Sequence, residues 1–402
     1  MRVCIISRGD LSLFPPTQGA SNKLYYTLKT LSETGIKVFF VTAEDEFYYE
    51  VKRGKFRIKK YPPQLKNSKI SENEKELLNF LGIPSDIHPI YHPLLNTRLW
   101  ARLLYVVKKE KIDVIQAEFT CFGIPAIFVK FLTGIPVCIV EHNVETFQIP
   151  KIVKLNKNGI NLIKNIEKFV CNFSDKVIVI TEEEKKRLIS IGVKKEKIVV
   201  IPFGVDLKIF DVNEEDVRKI RKKFNLKYPT FVFHGTYSYK PNKDAIEFLI
   251  KKVLPFFRKK KIKPKILAIG EYPPLHLKDP DVIFTGVVKN LPLYLKAADI
   301  ALVPIIAGGG MRIKILEYFA SKIPTISTSF AIEGIPVKNK KEVIITELKN
   351  FPKEVEKLVR NKKLQKKLKE NAYSFIKKWE WKEIIKKYIE IYENLVLKRG
   401  KK

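Results

Sequence analysis

Apolar runs and helix-period stretches alternate along the whole chain. RVCIIS (2–7) reads as a strand, a helical pattern follows from about Asn22 to Thr34 and stops at Gly35, and IKVFFVT (36–42) is a second strand. DVIQAE (113–118), PVCIVEH (136–142), KVIVIT (176–181) and KIVVIP (197–202) continue this cycle, with helical segments between most of them. These strands are apolar at nearly every position, a pattern that predicts parallel strands covered on both faces. A second cycle opens at TFVFHG (230–235) and runs through KILAIG (265–270), VIFTG (282–286), DIALVPI (299–305) and PTISTS (324–329). Between the cycles, PFGVDLKIFDVNEEDVRKI has Gly204, clustered acids and no strand pattern, so a hinge is expected near residues 203–225. The reading is α/β, with two doubly wound domains, 1–204 and 205–377, facing each other across a cleft. In open α/β sheets ligands bind outside the carboxyl ends of the strands, so that cleft is the expected site.

Composition agrees with two globular domains. The chain has 402 residues, 45% hydrophobic and 30% charged, enough for two cores at roughly 100–200 residues per domain. The formal net charge is +33. Such an excess favours an anionic partner: nucleic acid, a phosphate-bearing ligand or an anionic membrane surface. From Lys349 onward 18 Lys and Arg face 7 Asp and Glu in helical sequence, which reads foremost as a solvated basic face. Cys4, Cys121, Cys138 and Cys171 are scattered without metal-ligand spacing and read as reduced core residues of a cytoplasmic protein. MRVCIISRGD is a strand rather than a signal peptide. CFGIPAIFVKFLTGIPVCIV (121–140) contains Lys130, two glycines and two prolines, and reads as a helix followed by a strand rather than a membrane span.

The strongest chemical signal follows DIALVPI. GGGMRIKILE joins a strand to a helix N-terminus through a glycine loop. Unpaired first-turn N–H groups and the helix dipole make such a junction an anion site. Gly308, Gly309 and Gly310 let a bulky phosphate approach the backbone. Arg312 and Lys314 can add charge, and Glu317 can accept hydrogen bonds from sugar hydroxyls. In HGTYSYKPNKDAIEFL, Asn242 is expected as an N-cap, and Lys240 is expected on the strand-to-helix loop, as a ligand group or a solvated lysine. PVCIVEHNVET ends a strand on Glu141 and His142, and the histidine reads equally as a site residue or a structural one. Gly19, in FPPTQGASNKLYYTLKTL, stands just before a helix as an ordinary turn or the floor of a second substrate site. DPD (279–281) contains Pro280 and reads as a turn, EDE (44–46) follows a strand without nearby His or further acids, and neither is a convincing divalent-metal site. No Ser-His-Asp arrangement, Walker lysine loop or GxGxxG occurs.

These segments together resemble the retaining GT-B glycosyltransferases of glycosyltransferase family 4 over most of the chain. KVIVITEEEKKRL is similar to a family strand–Ser/Thr–helix segment, and KIVVIPFGVDLKIF to its IPNGVD hinge, with Phe203 where Asn is usual. FVFHGTYSYKPNKDAIEFL resembles the opening of the donor domain. The strongest match is DVIFTGVVKNLPLYLKAADIALVPIIAGGGMRIKILEYFASKIPTISTSFAIEG. The helix beginning at Trp379 and Trp381, about 378–397, resembles the one that crosses back to the first domain.

The resemblance implies a nucleoside-diphosphate sugar held mainly by the second domain. Glu317 matches the glutamate on the donor ribose, and Lys240 the lysine of a cationic pair on the diphosphate. Gly309, Gly310 and Met311 lie beside the diphosphate and transferred sugar, and Val287 and Val288 meet the base. His142 matches a first-domain histidine near the donor sugar, and Gly19 the N-terminal glycine loop near donor and acceptor. Two positions depart from the family pattern. Gly309 replaces a second glutamate, and Thr236 replaces the other arginine of the cationic pair, for which Arg312 or Lys314 is the candidate substitute.

The expected reaction is hexosyl transfer with retention to a glycan, lipid-linked or small-molecule acceptor, with no cofactor and no metal. NVETFQIPKIVKLNKNG (143–159) reads as an exposed loop or as a peripheral contact with the anionic inner face of the membrane. Two other classes compete: a nucleotide-sugar 2-epimerase on the same scaffold, and a basic nucleic-acid-binding protein. The second has no recognisable motif and no role for Glu317, so nucleic acid is not an expected partner.

Overall fold

The computed structural model describes residues 1–9, 19–65, 71–151 and 153–400. It divides into two compact units, Met1–Phe203 with Trp381–Lys402, and Gly204–Glu380. The break between Phe203 and Gly204 falls inside the IPFGVD segment.

The first unit holds an eight-stranded sheet of β1 (Arg2–Ser7), β2 (Lys37–Thr42), β3 (Phe47–Lys52), β4 (Lys55–Lys60), β5 (Val114–Glu118), β6 (Val137–Glu141), β7 (Lys176–Val179) and β8 (Ile198–Val200). The order is β4-β3-β2-β1-β5-β6-β7-β8. Six strands are parallel, and the edge hairpin β3–β4 is antiparallel. The apolar runs of the sequence do not mark this hairpin. Its turn is Arg53-Gly54, both at positive φ (47° and 72°), the geometry whose twist matches that of paired strands. Lys55, Lys59 and Lys60 line the exposed edge strand, where charge discourages pairing with other chains.

Side chains alternate faces along a strand, so a sheet covered on both faces needs apolar residues at every position. Val3, Ile5, Val38 and Phe40 pack with the helices Gly19–Glu33 and Trp381–Arg399. Cys4, Ile6, Phe39 and Val41 join the opposite core, with residues of the helices Thr97–Lys109 and Thr120–Thr133. Trp381 is buried and stacks on Tyr26, ring centroids 6.0 Å apart. Trp379 instead contacts Phe375, within the second unit. The apolar window 121–140 breaks at Gly134, which caps the Thr120 helix in the left-handed conformation before β6 begins. No helix of the described residues is long and apolar enough to cross a membrane. All four cysteines are free and buried.

The second unit holds β9 (Thr230–His234), β10 (Lys265–Ile269), β11 (Val282–Gly286), β12 (Ile300–Val303), β13 (Thr325–Ser327) and β14 (Ile344–Ile345). All are parallel, in the order β11-β10-β9-β12-β13-β14. The chain lays strands outward from β9 in one direction, then returns and lays β12 on its other side. Beside β1 the first sheet reverses in the same way, with β2 on one side and β5 on the other. Such switch points open a crevice at the strands' carboxyl ends. The residues that leave β9 and β12, and those that leave β1 and β5, are therefore the ones positioned for a ligand.

Candidate functional site

In the second unit, β9 ends on His234 and Gly235, and β12 leads through the glycine loop to the helix Ile313–Ala320. Glu317 lies just over one turn into that helix, and its Oε2 is 2.7 Å from His234 Nε2. The hydroxyl of Tyr318 accepts from the His234 backbone N–H (3.0 Å) and lies 2.9 Å from His234 Nδ1. With its oxygen already accepting, that hydroxyl donates its own proton to Nδ1. Nε2 then carries the ring proton and donates to Glu317. Both nitrogens of His234 are engaged, whereas Glu317 Oε1 has no hydrogen-bond partner among the described residues. The side chain of Glu317 is 18% exposed.

Lys314 is one helical turn before Glu317's neighbour Tyr318. Its Nζ donates to Asn242 Oδ1 (2.7 Å) and sits 4.1 Å from the centroid of the Phe233 ring. Burial lowers the pKa of this amine to about 7, with Glu317 opposing that shift and Arg312 adding to it. Asn242 also donates to the carbonyl of Thr236 (2.8 Å). It is therefore not the N-cap that the sequence suggested: the helix runs Lys240–Phe248 with Tyr239 at its cap. Asn242 is buried and ties Lys314 to the loop where Thr236 replaces the family arginine.

The glycine loop is closely fitted. Gly308 has φ +117°, and a Cβ there would lie 2.5 Å from Tyr239 Oη. Gly309 N–H donates to that same hydroxyl at 3.3 Å, and Gly310 is also at positive φ. A Cβ on Gly235 would meet Asn242 at 2.7 Å and Lys314 Nζ at 3.0 Å. Met311 is buried. Arg312 donates to the carbonyl of Gly310 (2.6 Å), lies over Phe330 (4.2 Å) and is 3.8 Å from Glu333. These contacts hold it between its own loop and the segment that follows β13.

Lys240 is the first residue of its helix rather than a loop residue. Its side chain is 82% exposed and pairs with Asp244 at 2.6 Å. Val287 is exposed and Val288 half-buried on the loop that follows β11. Asp279 and Asp281 of DPD are both held by Arg258, so their role is structural.

In the first unit, Glu118 ends β5 and His142 follows β6. Both oxygens of the fully buried Glu118 accept from Lys23 Nζ (2.9 and 2.7 Å), and Oε2 is 2.6 Å from His142 Nε2. Gln116 also donates to Glu118, and Tyr392 of the final helix donates to Gln116. Burial pushes the Glu118 carboxyl up, but Lys23 and His142 outweigh it and hold it at about 2. Burial and the Lys23 charge push His142 below its usual value, against the pull of Glu118. Gly19 opens the helix that carries Lys23, while residues 10–18 lie outside the described residues.

Beside this group a second acidic layer pins the segment after His142. Glu167 accepts from the Glu145 and Thr146 backbone N–H groups (2.7 and 3.1 Å), and Glu184 from Val144 N–H (2.7 Å). Tyr91 donates to Glu145, and Thr120 to Glu141. Burial, with Glu145 nearby, pushes the Glu167 carboxyl well above its usual value. The stretch 143–159 is thus partly fastened: Glu145 and Ile149 are buried, while Phe147 is 39% exposed.

The family description Glycosyltransferase Family 4 matches residues 17–209, and Glycosyl transferases group 1 matches residues 228–361. In structure the chain is similar to HepE of Anabaena, solved in complex with UDP (TM-score 0.70, 15% identity, covering 98% of this chain and 100% of that one). The chain belongs to the GT-B glycosyltransferases of family 4. This glycosyltransferase also shares its fold with sucrose-phosphate synthase of Thermosynechococcus elongatus (TM-score 0.72, 15% identity, 98% of each chain). A third solved relative in fold is WaaG, a glycosyltransferase involved in lipopolysaccharide biosynthesis (TM-score 0.64, 13% identity, 97% of this chain and 99% of that one). Among curated proteins none matches the glycosyltransferase in sequence. Among its described residues no group of three or more His, Cys, Asp or Glu side chains is arranged to hold a metal ion.

The groups that motif reading left unnamed are Lys23, Glu118 and His234. Each did leave a signal: Glu118 and His234 are polar ends of otherwise apolar strands, and Lys23 is a cation on a helix face that packs inward.

Proposed function

We propose that this glycosyltransferase moves a hexose, with retention of anomeric configuration, from a nucleoside-diphosphate sugar to a glycan, lipid-linked or small-molecule acceptor, without a metal ion. The observation that carries the reading is Glu317, held by His234 and Tyr318 with one oxygen unclaimed, beside Lys314 at the β9/β12 switch point. A carboxylate with a spare oxygen suits paired ribose hydroxyls, and a cation with a glycine-bounded helix N-terminus suits a diphosphate. The related fold of HepE, solved with UDP and with UDP-glucose, supports a nucleotide-sugar donor.

In this reading Glu317 binds the ribose, and Gly309, Gly310 and Met311 border the diphosphate and sugar. Val287 and Val288 present backbone groups to the base. Lys314 supplies the charge that Thr236 lacks, because it is tied to the Thr236 loop through Asn242, whereas Arg312 shapes the glycine loop. Lys240 is an outer charge. His142 serves the transferred sugar, and Gly19 lies toward the acceptor. The bond between the sugar's anomeric carbon and the phosphate oxygen breaks, and a bond to the acceptor oxygen forms on the same face. The acceptor's proton passes to the leaving phosphate. Negative charge grows on that phosphate, so prealigned N–H groups and Lys314 stabilise the transition state more than the ground state. Phe147 and the lysines of 143–159 support a peripheral contact at the cytoplasmic face of the membrane, where a lipid-linked acceptor would wait.

A thermal-shift screen of nucleoside diphosphates and their sugars tests the donor, since a ligand of the native state raises Tm by mass action. At least one nucleotide is expected to raise Tm. Glu317→Gln is expected to weaken its binding by about 1.5–3 kcal/mol, the worth of a charged hydrogen bond. No shift with any nucleotide sinks the reading.

A further inference from the structure

His142 is held on three sides. Its ring stacks on Phe119 at 4.2 Å and 19°, and meets the edge of Phe203 at 6.2 Å. Phe119 is itself at φ +69°, a backbone conformation that costs about 1–3 kcal/mol for a residue with a side chain. Nε2 points to Glu118. Stacking fixes the ring plane and the carboxylate fixes its rotation, so the direction of Nδ1 is fixed as well. Nδ1 is buried and has no hydrogen-bond partner among the described residues. A buried polar atom left unpaired costs about 1–3 kcal/mol, and such an atom at a strand's carboxyl end needs an explanation.

We propose that Lys23 and Glu118 are positioning residues for His142: they hold its imidazole as the neutral tautomer protonated on Nε2, leaving Nδ1 as an acceptor for a hydroxyl of the transferred sugar. The proposal rests on the donor reading above. An ionised carboxylate can only accept, so the nitrogen facing Glu118 carries a proton. Lys23 already balances the charge of Glu118, and a second cation in the same buried space is disfavoured. The ring is therefore neutral, and its other nitrogen keeps its lone pair. The surrounding groups agree with this count. Lys23 comes from the Gly19 helix, and Gln116 and Glu118 from β5. Cys138 lies on β6, and Tyr388 and Tyr392 come from the final helix, where Lys23 sits 5.6 Å from the Tyr388 ring. Lys23 is the cation and Glu118 the anion among them. The depressed pKa of His142 has the same origin.

The test has two arms. Nitrogen-15 NMR of the full-length, histidine-labelled protein reads the tautomer directly, with His142→Gln identifying the signal among the five histidines. A protonated Nε2 and bare Nδ1 are expected, and a proton on Nδ1 overturns the proposal. In the second arm, release of the nucleoside diphosphate from the sugar donor that gives the largest thermal shift is followed against pH. Without the lysine, Glu118 draws its balancing charge from the imidazole, and Nδ1 becomes a donor. Lys23→Met is therefore expected to move the acid limb of kcat to higher pH and to lower kcat at pH 7 by about 10- to 100-fold, the scale of a misplaced catalytic group. Donor KM should stay near the wild-type value, and Lys23→Arg should restore the profile. A folded Lys23→Met protein with the wild-type acid limb, or a fully active His142→Gln protein, overturns it. Should Lys23→Met fail to fold, the NMR arm on the wild type still decides. A wild type that releases no nucleoside diphosphate counts against the donor reading, and the tautomer is then settled by NMR alone.

Discussion

Each unit sets a histidine–glutamate pair at the carboxyl edge of a parallel sheet, and the two pairs are wired in opposite senses. In the second unit His234 spends both nitrogens, on Tyr318 and Glu317, and the glutamate keeps an oxygen to offer. In the first unit Glu118 spends both oxygens on Lys23 and one of them also on His142, and the histidine keeps a nitrogen. The same two residue types thus present an anion in one unit and a neutral acceptor in the other. What decides is the third partner: a tyrosine hydroxyl at 2.9 Å from one ring, a lysine ammonium at 2.7 Å from the other carboxylate. Burial follows the same division. Lys23 and Glu118 are 1% and 0% exposed, His234 and Glu317 11% and 18%.

That difference predicts very unequal costs for the same substitution. Glu118→Gln strands Lys23 as an unpaired buried charge and is expected to destabilise the first unit by about 3–5 kcal/mol. Glu317→Gln removes the charge from a partly exposed hydrogen bond that the amide oxygen can still accept, and is expected to cost about 1 kcal/mol. Urea unfolding followed by tryptophan fluorescence suits the comparison, because Trp100 and Trp381 lie in the first unit. Equal losses would break the contrast. The Glu118 contribution also has a pH signature. Its carboxyl is held at about 2 against an ordinary 4.5. The stabilisation is therefore fully present above about 4.5 and is lost as the pH falls from there toward 2.

A smaller effect is expected at Lys314. Replacing it with Met removes a cation from the expected position of the leaving diphosphate, a loss of about 3–4 kcal/mol in the barrier if it acts as one preorganised donor. Its pKa of about 7 in the free protein adds a linkage. An anionic diphosphate favours the charged amine, so binding raises that pKa. Below about 7 the amine is charged before and after binding, and affinity is flat. Above that value binding takes up a proton, and affinity falls as the pH rises. Calorimetry in buffers of different ionisation enthalpy measures the uptake; a pH-independent affinity from 6 to 9, with the Met variant matching wild type, refutes the role.

Much of this is legible in the sequence, and the gaps have physical causes. Continuous apolar runs marked the parallel strands, because a strand buried on both faces has no polar position to spare. The β3–β4 hairpin escaped because it is half exposed, and its alternating FYYEVK and KFRIKK lack that run. Glu317 was legible from the glycine loop and the helix that follows, but His234 was not, since its pairing with Glu317 spans 83 residues. Asn242 was read as a cap because Asn before a helix usually is one. Its amide instead closes a contact with Lys314 that only the tertiary fold brings within reach. Glu118 and Lys23 are 95 residues apart and meet only once the first helix lies on the sheet.

The smallest effect is expected at Lys240, although the family pattern makes it half of the diphosphate's cationic pair. Its ammonium is mostly exposed and pairs with Asp244 one turn along the same helix. Exposed pairs of this kind are worth about 0.2–1 kcal/mol, and a charge in water stabilises a phosphate weakly and is screened by salt. Lys314, by contrast, is partly desolvated, held by Asn242 and neighboured by Phe233. Lys240→Ala is therefore expected to raise donor KM by less than about fivefold, an effect within 1 kcal/mol, and to lose even that at high ionic strength. The informative comparison is between the two lysines in one assay across salt. A Lys240→Ala defect as large as that of Lys314→Met, and equally insensitive to salt, would mean that Lys240 leaves Asp244 and closes on the donor, and that the first-turn lysine rather than the buried one carries the leaving-group charge.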